Sequence, residues 1–107
     1  MAGTGKLDDP DYPAYTIGQA AELLEVQQPF LRSLDAAGIV SPERSGGGHR
    51  RYSRRQLETV DRLRALLDEG HSLAAAARIL GLQDDLAAAR AEIDDLREQL
   101  RSRSTEP

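Results

Sequence analysis

Leu82, Leu86, Ala89, Ile93, Leu96 and Leu100 follow one another in steps of four, three, four, three and four. A helix that repeats apolar residues this way carries them as a narrow heptad seam, unlike the broader stripe of a globular helix. Such a seam excludes water only against another helix. Residues 82 to 101 are therefore expected to form a projecting coiled-coil helix, with those residues as its pairing positions. Residues 102 to 107, Ser-Arg-Ser-Thr-Glu-Pro, are expected to fray into a disordered tail.

The rest of the 107-residue chain has room for one modest domain, too small for a deep enzyme site. With one Phe, three Tyr, no Trp and 30% charged residues, its core must come from Leu, Ile, Val and Ala on helices, which gives a mainly α class. Residues 1 to 14, with Pro10, Pro13 and an Asp cluster, show no periodic apolar face and are expected to be a disordered lead-in. Thr16 and Gln19 have the form of a capping box, and Ile17, Ala20, Ala21 and Leu24 follow at helical spacing, so a first helix is expected over 17 to 24. Gln28-Pro29 opens a second helix, about 28 to 37, with Phe30, Leu31 and Leu34 inward and Gly38 as a left-handed cap. Ile39-Val40 and Arg51-Tyr52, flanking a run of glycines, are expected to be the strands of a two-stranded wing. Ser53 and Gln56 form a second capping box, and Leu57, Val60, Leu63 and Leu67 continue until Gly70. Ser72 caps a short helix expected over 73 to 80 and stopped by Gly81, so that a winged helix-turn-helix domain spans 15 to 81.

The chain contains no cysteine, which excludes disulfides, thiolate metal sites and cysteine nucleophiles. Two isolated histidines make no metal site, no cofactor is expected, and no nucleophile, general base or phosphate loop stands at workable spacing for an enzyme. The start of the chain lacks the pattern of a secretory leader and no apolar run reaches 18 residues, so a cytoplasmic protein with no membrane partner is expected.

A net charge of −4 looks unsuited to nucleic acid until it is divided along the chain. Residues 1 to 14 carry one Lys against three Asp, residues 15 to 81 nine Arg against eight acids, and residues 82 to 107 four Arg against seven acids. Potential acts over about 10 Å, the screening length at 0.1 M salt, so local charge decides. Arg44, Arg50, Arg51, Arg54 and Arg55 lie in a stretch with no acidic residue, beside three successive glycines that let a loop approach a phosphate backbone. On the second helix, Gln27, Gln28, Arg32 and Ser33 occupy the face left after the apolar residues turn inward; Gln can bond adenine and Arg guanine in two-point fashion. The bland reading of that face is solvated surface. The DNA-contacting set is Thr16, Gln27, Gln28, Arg32, Ser33, Arg44, His49, Arg50, Arg51 and Tyr52, with His49 either donating to a phosphate or packing on the wing.

The stretch Tyr15-Thr-Ile-Gly-Gln-Ala-Ala-Glu-Leu-Leu24, then Leu31-Arg32, Asp35, Gly38 to Arg44, Gly47-Gly-His-Arg-Arg-Tyr-Ser53 and Leu67 to Leu73 resembles the MerR family of bacterial transcription regulators. The resemblance implies that the second helix enters the major groove of double-stranded DNA and that the wing arginines and Tyr52 grip its backbone. It implies an antiparallel homodimer through the C-terminal helix, bound to a two-fold promoter site, with RNA polymerase as a further partner. Neither a separate ligand domain nor sensor cysteines follow the seam, so the expectation is a regulator without its own sensor. Gln27, Pro29, Phe30, Ser33 and Leu34 depart from the family pattern, so a different DNA preference is implied. Arg51 or Arg50 is expected to pair with Asp35 and hold the wing to the helix. Two alternatives remain: an adaptor that captures another protein through its heptad helix, and an architectural DNA-bending protein of the excisionase kind.

Overall fold

The computed structural model describes residues 8–44 and 47–104, and it resolves into two compact units, 1–70 and 71–107. In the first unit the order is β1 (Pro13–Tyr15), α1 (Ile17–Leu24), α2 (Gln28–Ala36), β2 (Glu43–Arg44), β3 (Arg50–Ser53) and α3 (Arg54–Asp68). The second unit is the single helix α4 (Leu73–Ser104).

Both capping boxes form. The Thr16 hydroxyl accepts from the Gln19 amide at 3.1 Å while the Gln19 side chain accepts from the Thr16 amide at 2.9 Å, and Ser53 with Gln56 repeats the arrangement at 3.1 and 2.9 Å. Each box satisfies two amides that a helix start leaves without intrahelical partners. α1 ends on Glu25, held in the left-handed region at φ 57°, with the Val26 amide donating to Ala21 at 3.0 Å. α2 packs on α1 through Leu31 and Leu34, which are fully buried with Ala20, Val60, Leu63 and Tyr52 in one core, whereas Phe30 stays partly exposed beside them.

The wing differs from its expected form. Ile39 and Val40 are not a strand: Gly38, at φ 71°, donates to Asp35 and the Ile39 amide donates to Leu34 at 2.9 Å, a Schellman closure of α2 in which Val40 is buried. The apolar pair is consumed in ending a helix, so β2 forms further on, at Glu43–Arg44, with Glu43 opposite Arg51 and Arg44 opposite Arg50. The sheet also has a third strand, in the order β1-β3-β2, all antiparallel. β1 comes partly from the expected lead-in, of which residues 8 to 14 are ordered and 1 to 7 lie outside the described residues. Asp9 builds a turn by accepting from the Asp11 amide at 2.9 Å, and the Arg55 amide donates to the Pro10 carbonyl at 2.9 Å. Backbone pairing with β3 and these bonds to the start of α3 hold a segment that has no apolar periodicity of its own.

Gly81 does not stop a helix. It lies inside the 32-residue α4, so the short helix expected over 73 to 80 and the coiled-coil helix are continuous, beginning where the Ser72 hydroxyl accepts from the Ala75 amide at 3.1 Å. A left-handed cap needs positive φ, which Gly38, Gly48 and Gly70 adopt and Gly81 does not. The expected tail likewise shortens, since residues 102 to 104 are helical and 105 to 107 lie outside the described residues. A glycine in a helix interior costs up to about 1 kcal/mol relative to alanine, and nothing lies within 4 Å of where a Gly81 side chain would sit. Gly81→Ala should therefore raise stability by about 0.5–1 kcal/mol in urea unfolding followed by circular dichroism; a cap glycine would give the opposite sign.

Candidate nucleic-acid interface

α2 and the wing meet along β3, whose four residues have different tasks. Successive side chains of a strand point to opposite faces, so Arg50 and Tyr52 turn toward α2 while Arg51 turns away. The Arg50 guanidinium donates from Nη2 to Asp35 Oδ2 at 2.7 Å, joining β3 to the last turn of α2. Of the two arginines that sequence offered to Asp35, the structure selects Arg50. Arg51 is half-buried and sits in register with Glu43.

Tyr52 corrects an expectation. It is 1% exposed and forms part of the core, so it stands behind the surface as a buttress and not on it as a backbone grip. Burial pushes its phenol above the ordinary tyrosine range; the Asp35 carboxylate adds to the rise, and Arg50 and Arg32 oppose it. With Ile17, Arg32, Asp35, Ala36, Pro42 and Arg50 it lines an open cleft of about 500 Å³ between α2 and the wing.

On α2, the Arg32 Nη2 donates to Gln28 Oε1 at 3.0 Å, so the two candidate readers form one exposed unit a helical turn apart. The amide nitrogen of Gln28 lies 3.6 Å from where a side chain on Gly18 would begin, which brings the starts of α1 and α2 together. Gln27 is the N-cap residue, exposed and without a side-chain cap bond. Ser33 donates its hydroxyl proton to the Phe30 carbonyl at 2.6 Å, and the Thr16 oxygen accepts from the Gln19 amide, so both hydroxyls are engaged within their own helices.

In the wing, Arg44 Nη1 donates to the Gly48 carbonyl at 3.3 Å and braces the loop from one side. His49 is exposed and lies over Gly47, where an added side chain would approach its ring to 3.3 Å. Ser45 and Gly46, part of the expected glycine-rich approach to phosphate, lie outside the described residues. The five-arginine patch divides. Arg55 donates from Nε to Asp11 Oδ1 at 2.6 Å, and Arg54 Nη2 donates to the Asp8 carbonyl at 3.4 Å. The hydrogen bond from Arg55 to Asp11, more than the carboxylate's charge alone, holds the guanidinium above its ordinary range. Arg44, Arg50 and Arg51 thus belong to the wing, and Arg54 and Arg55 to the anchored lead-in.

Sequence reasoning missed three fastenings. Gln56 Nε2 donates to the Ser41 carbonyl at 2.6 Å, tying α3 to the segment leading into the wing, and Arg64 donates to the Leu24 carbonyl at the end of α1. The third, Asp11 to Arg55, had a signal in the acidic cluster and in the arginine pair 44 residues on, but no local rule joins them. Among the described residues no group of three or more His, Asp or Glu is placed to hold a metal ion, and no helix is long and apolar enough to cross a membrane.

Because the folded state raises the Tyr52 pKa above its unfolded value near 10, the stabilisation from burying the neutral phenol is complete below pH 10. It is lost as pH rises through the folded value. Urea titrations above pH 10 should show a fall in stability that Tyr52→Phe reduces; an identical alkaline fall in the variant would contradict the assignment.

The family model for MerR HTH family regulatory proteins matches residues 15–82. HspR of Streptomyces coelicolor, described as a heat shock protein, is 39% identical over 87 residues, covering 80% of this chain and 58% of that protein. The HTH-type transcriptional repressor CarH of Myxococcus xanthus is 33% identical over 86 residues, covering 75% of this chain and 29% of that protein. The chain thus spans between 29% and 58% of the length of these two curated relatives. Among solved structures, a MerR-family regulator from Bacillus cereus superposes with TM-score 0.57 at 18% identity, covering 87% of each chain. HiNmlR, a MerR family regulator lacking the sensor domain and bound to promoter DNA, superposes with TM-score 0.56 at 24% identity, covering 81% of this chain and 78% of that one. Those two likenesses speak for the fold; the matched family model and the identity to HspR speak for descent. The chain belongs to the MerR family of helix-turn-helix regulatory proteins.

Proposed function

We propose that this protein is a transcriptional regulator that binds double-stranded DNA at specific sequences, as an antiparallel homodimer on a two-fold promoter site where RNA polymerase also engages. The observation that carries the reading is the Arg50–Asp35 pair, which fixes the wing against α2. The exposed Gln28–Arg32 unit and the wing's Arg44 and His49 thereby belong to one framework. α2, nine residues long, extends about 13 Å at 1.5 Å per residue, a length suited to a major groove about 12 Å wide. There Gln28 and Arg32 exchange their mutual bond for adenine and guanine edges, while Arg44, Arg51 and the solvent-facing part of Arg50 neutralise phosphates. The promoter DNA bound by HiNmlR supports the same use of a shared fold.

A two-fold site follows from self-pairing of α4, whose Leu82, Leu86, Ile93, Leu96 and Leu100 are 46–63% exposed in the single chain. Antiparallel pairing sets Ala89 against the partner's Ile93, large against small. Parallel pairing would set Ala89 against the partner's Ala89 and leave a void costing about 2–3 kcal/mol. Exposed flank pairs, at about 0.3–0.5 kcal/mol each, are the weaker consideration.

Selection of bound duplexes from a random library at about 150 mM salt, near cellular ionic strength, should enrich an inverted repeat. A folded dimer that enriches nothing would favour the adaptor reading. Arg50→Ala with Arg51→Ala should weaken binding to every duplex and lower the slope of log affinity against log salt by about one per lost phosphate contact. Fluorescence anisotropy over a salt series measures this, with thermal unfolding as the control for the lost Asp35 pair.

A further inference from the structure

Antiparallel copies of α4 can meet in several registers, but one uses the whole seam. With Leu86 against the partner's Leu96, Ala89 meets the partner's Ile93 and Leu82 meets the partner's Leu100, and the two-fold axis passes beside Ala91. A shift by one heptad one way leaves Leu82 and Leu86 without an apolar counterpart, and the other way sets Leu96 and Leu100 against the partner's Ile79 and the partner's Ala75, which are already half-buried in the single chain. Register follows the largest apolar burial gained on pairing.

The residues flanking the seam are Asp85, Glu92 and Gln99 on one side and Gln83, Arg90 and Arg97 on the other, all exposed in the single chain. In antiparallel pairing each flank faces its own copy. At the axis, Glu92 then faces the partner's Glu92 and Arg90 faces the partner's Arg90, whereas farther out Asp85 faces the partner's Gln99 and Arg97 faces the partner's Gln83. Within its own helix Glu92 has no cation three or four residues away, its neighbours there being Ala88, Ala89, Asp95 and Leu96, while Arg90 has Asp94 four residues on. The Glu92 pair is therefore the less compensated of the two.

Resting on the self-pairing reading above, we propose that the dimer pairs in this single register, with Glu92 facing its own copy across the axis. Its own central charges then hold the association below what the apolar seam alone would give. Salt screens like-charge repulsion and contacts to DNA phosphates alike, so rising salt tightens the dimer while it loosens DNA. Dimer formation and DNA binding respond to ionic strength in opposite directions.

Sedimentation equilibrium of the full chain at about 20 mM and 500 mM salt, a range over which the screening length falls from about 20 Å to 4 Å, tests this directly. The dimer should tighten by about two- to five-fold across the range, the effect of relieving exposed like-charge pairs. Glu92→Gln should tighten it by a similar factor at low salt and remove most of the salt response, while Glu98→Gln, on the outward face, should leave both unchanged. Weakening by Glu92→Gln would overturn the register, because it places a cation opposite Glu92, as parallel pairing beside the partner's Arg97 does. No effect of Glu92→Gln would overturn it as well. A chain that stays monomeric at both salts would instead overturn the self-pairing reading on which the register rests. Spin labels at Ser102→Cys in this cysteine-free chain give an independent measure. The register separates the two labelled backbones by about 33 Å along the axis, against about 10 Å for parallel helices.

Discussion

Everything on the candidate DNA-facing side depends on how β3 is held. Its four residues run from an ion pair through a strand partner and a core side chain to a helix cap: Arg50 bonds Asp35, Arg51 opposes Glu43, Tyr52 is buried, and Ser53 starts α3. An exposed ion pair by itself contributes little, about 0–1 kcal/mol, so Arg50–Asp35 matters for orientation more than for stability. The strength of the junction comes from the apolar core around Tyr52, Leu31 and Leu34, which positions the pair that aims the wing.

The same junction divides the charges of this acidic chain. The arginines of positions 44 to 55 are sorted by the fold: the wing keeps Arg44, Arg50 and Arg51, and the ordered lead-in takes Arg54 and Arg55 with Asp8 and Asp11. The lead-in thereby does structural work, through the Asp11 carboxylate and the Asp8 carbonyl, next to β1, which joins the sheet on the side of β3 away from β2.

α4 poses a separate problem. Its large seam residues are about half exposed in the single chain. In the antiparallel pairing proposed above, only Glu92 and Arg90 face their own copies, so packing favours that orientation while these central charges oppose it, and the apolar term is the larger.

Features governed by local rules were legible from the residues alone. The capping boxes at Thr16–Gln19 and Ser53–Gln56, the left-handed Gly38, the bounds of α1 and the seam of α4 all depend on residues within a few positions of one another. Of the candidate site, the exposure of Gln27, Arg32, Arg44 and His49 was legible in the same way, and so was a pairing between the wing and Asp35. Tertiary structure alone decided the third strand, the inward turn of Tyr52, the division of the arginines, the use of Ile39 and Val40 in closing α2, and the continuity of α4 through Gly81. Most of these outcomes are set by partners that are distant in the chain: Asp11 lies 44 residues from Arg55, and Tyr52 is buried by helices that precede and follow it. For the last two the local signal was ambiguous, since an apolar pair serves a strand or a helix closure and a glycine serves a cap or an interior position. Long-range burial and pairing distinguish such cases, and periodicity within a short window carries no information about them.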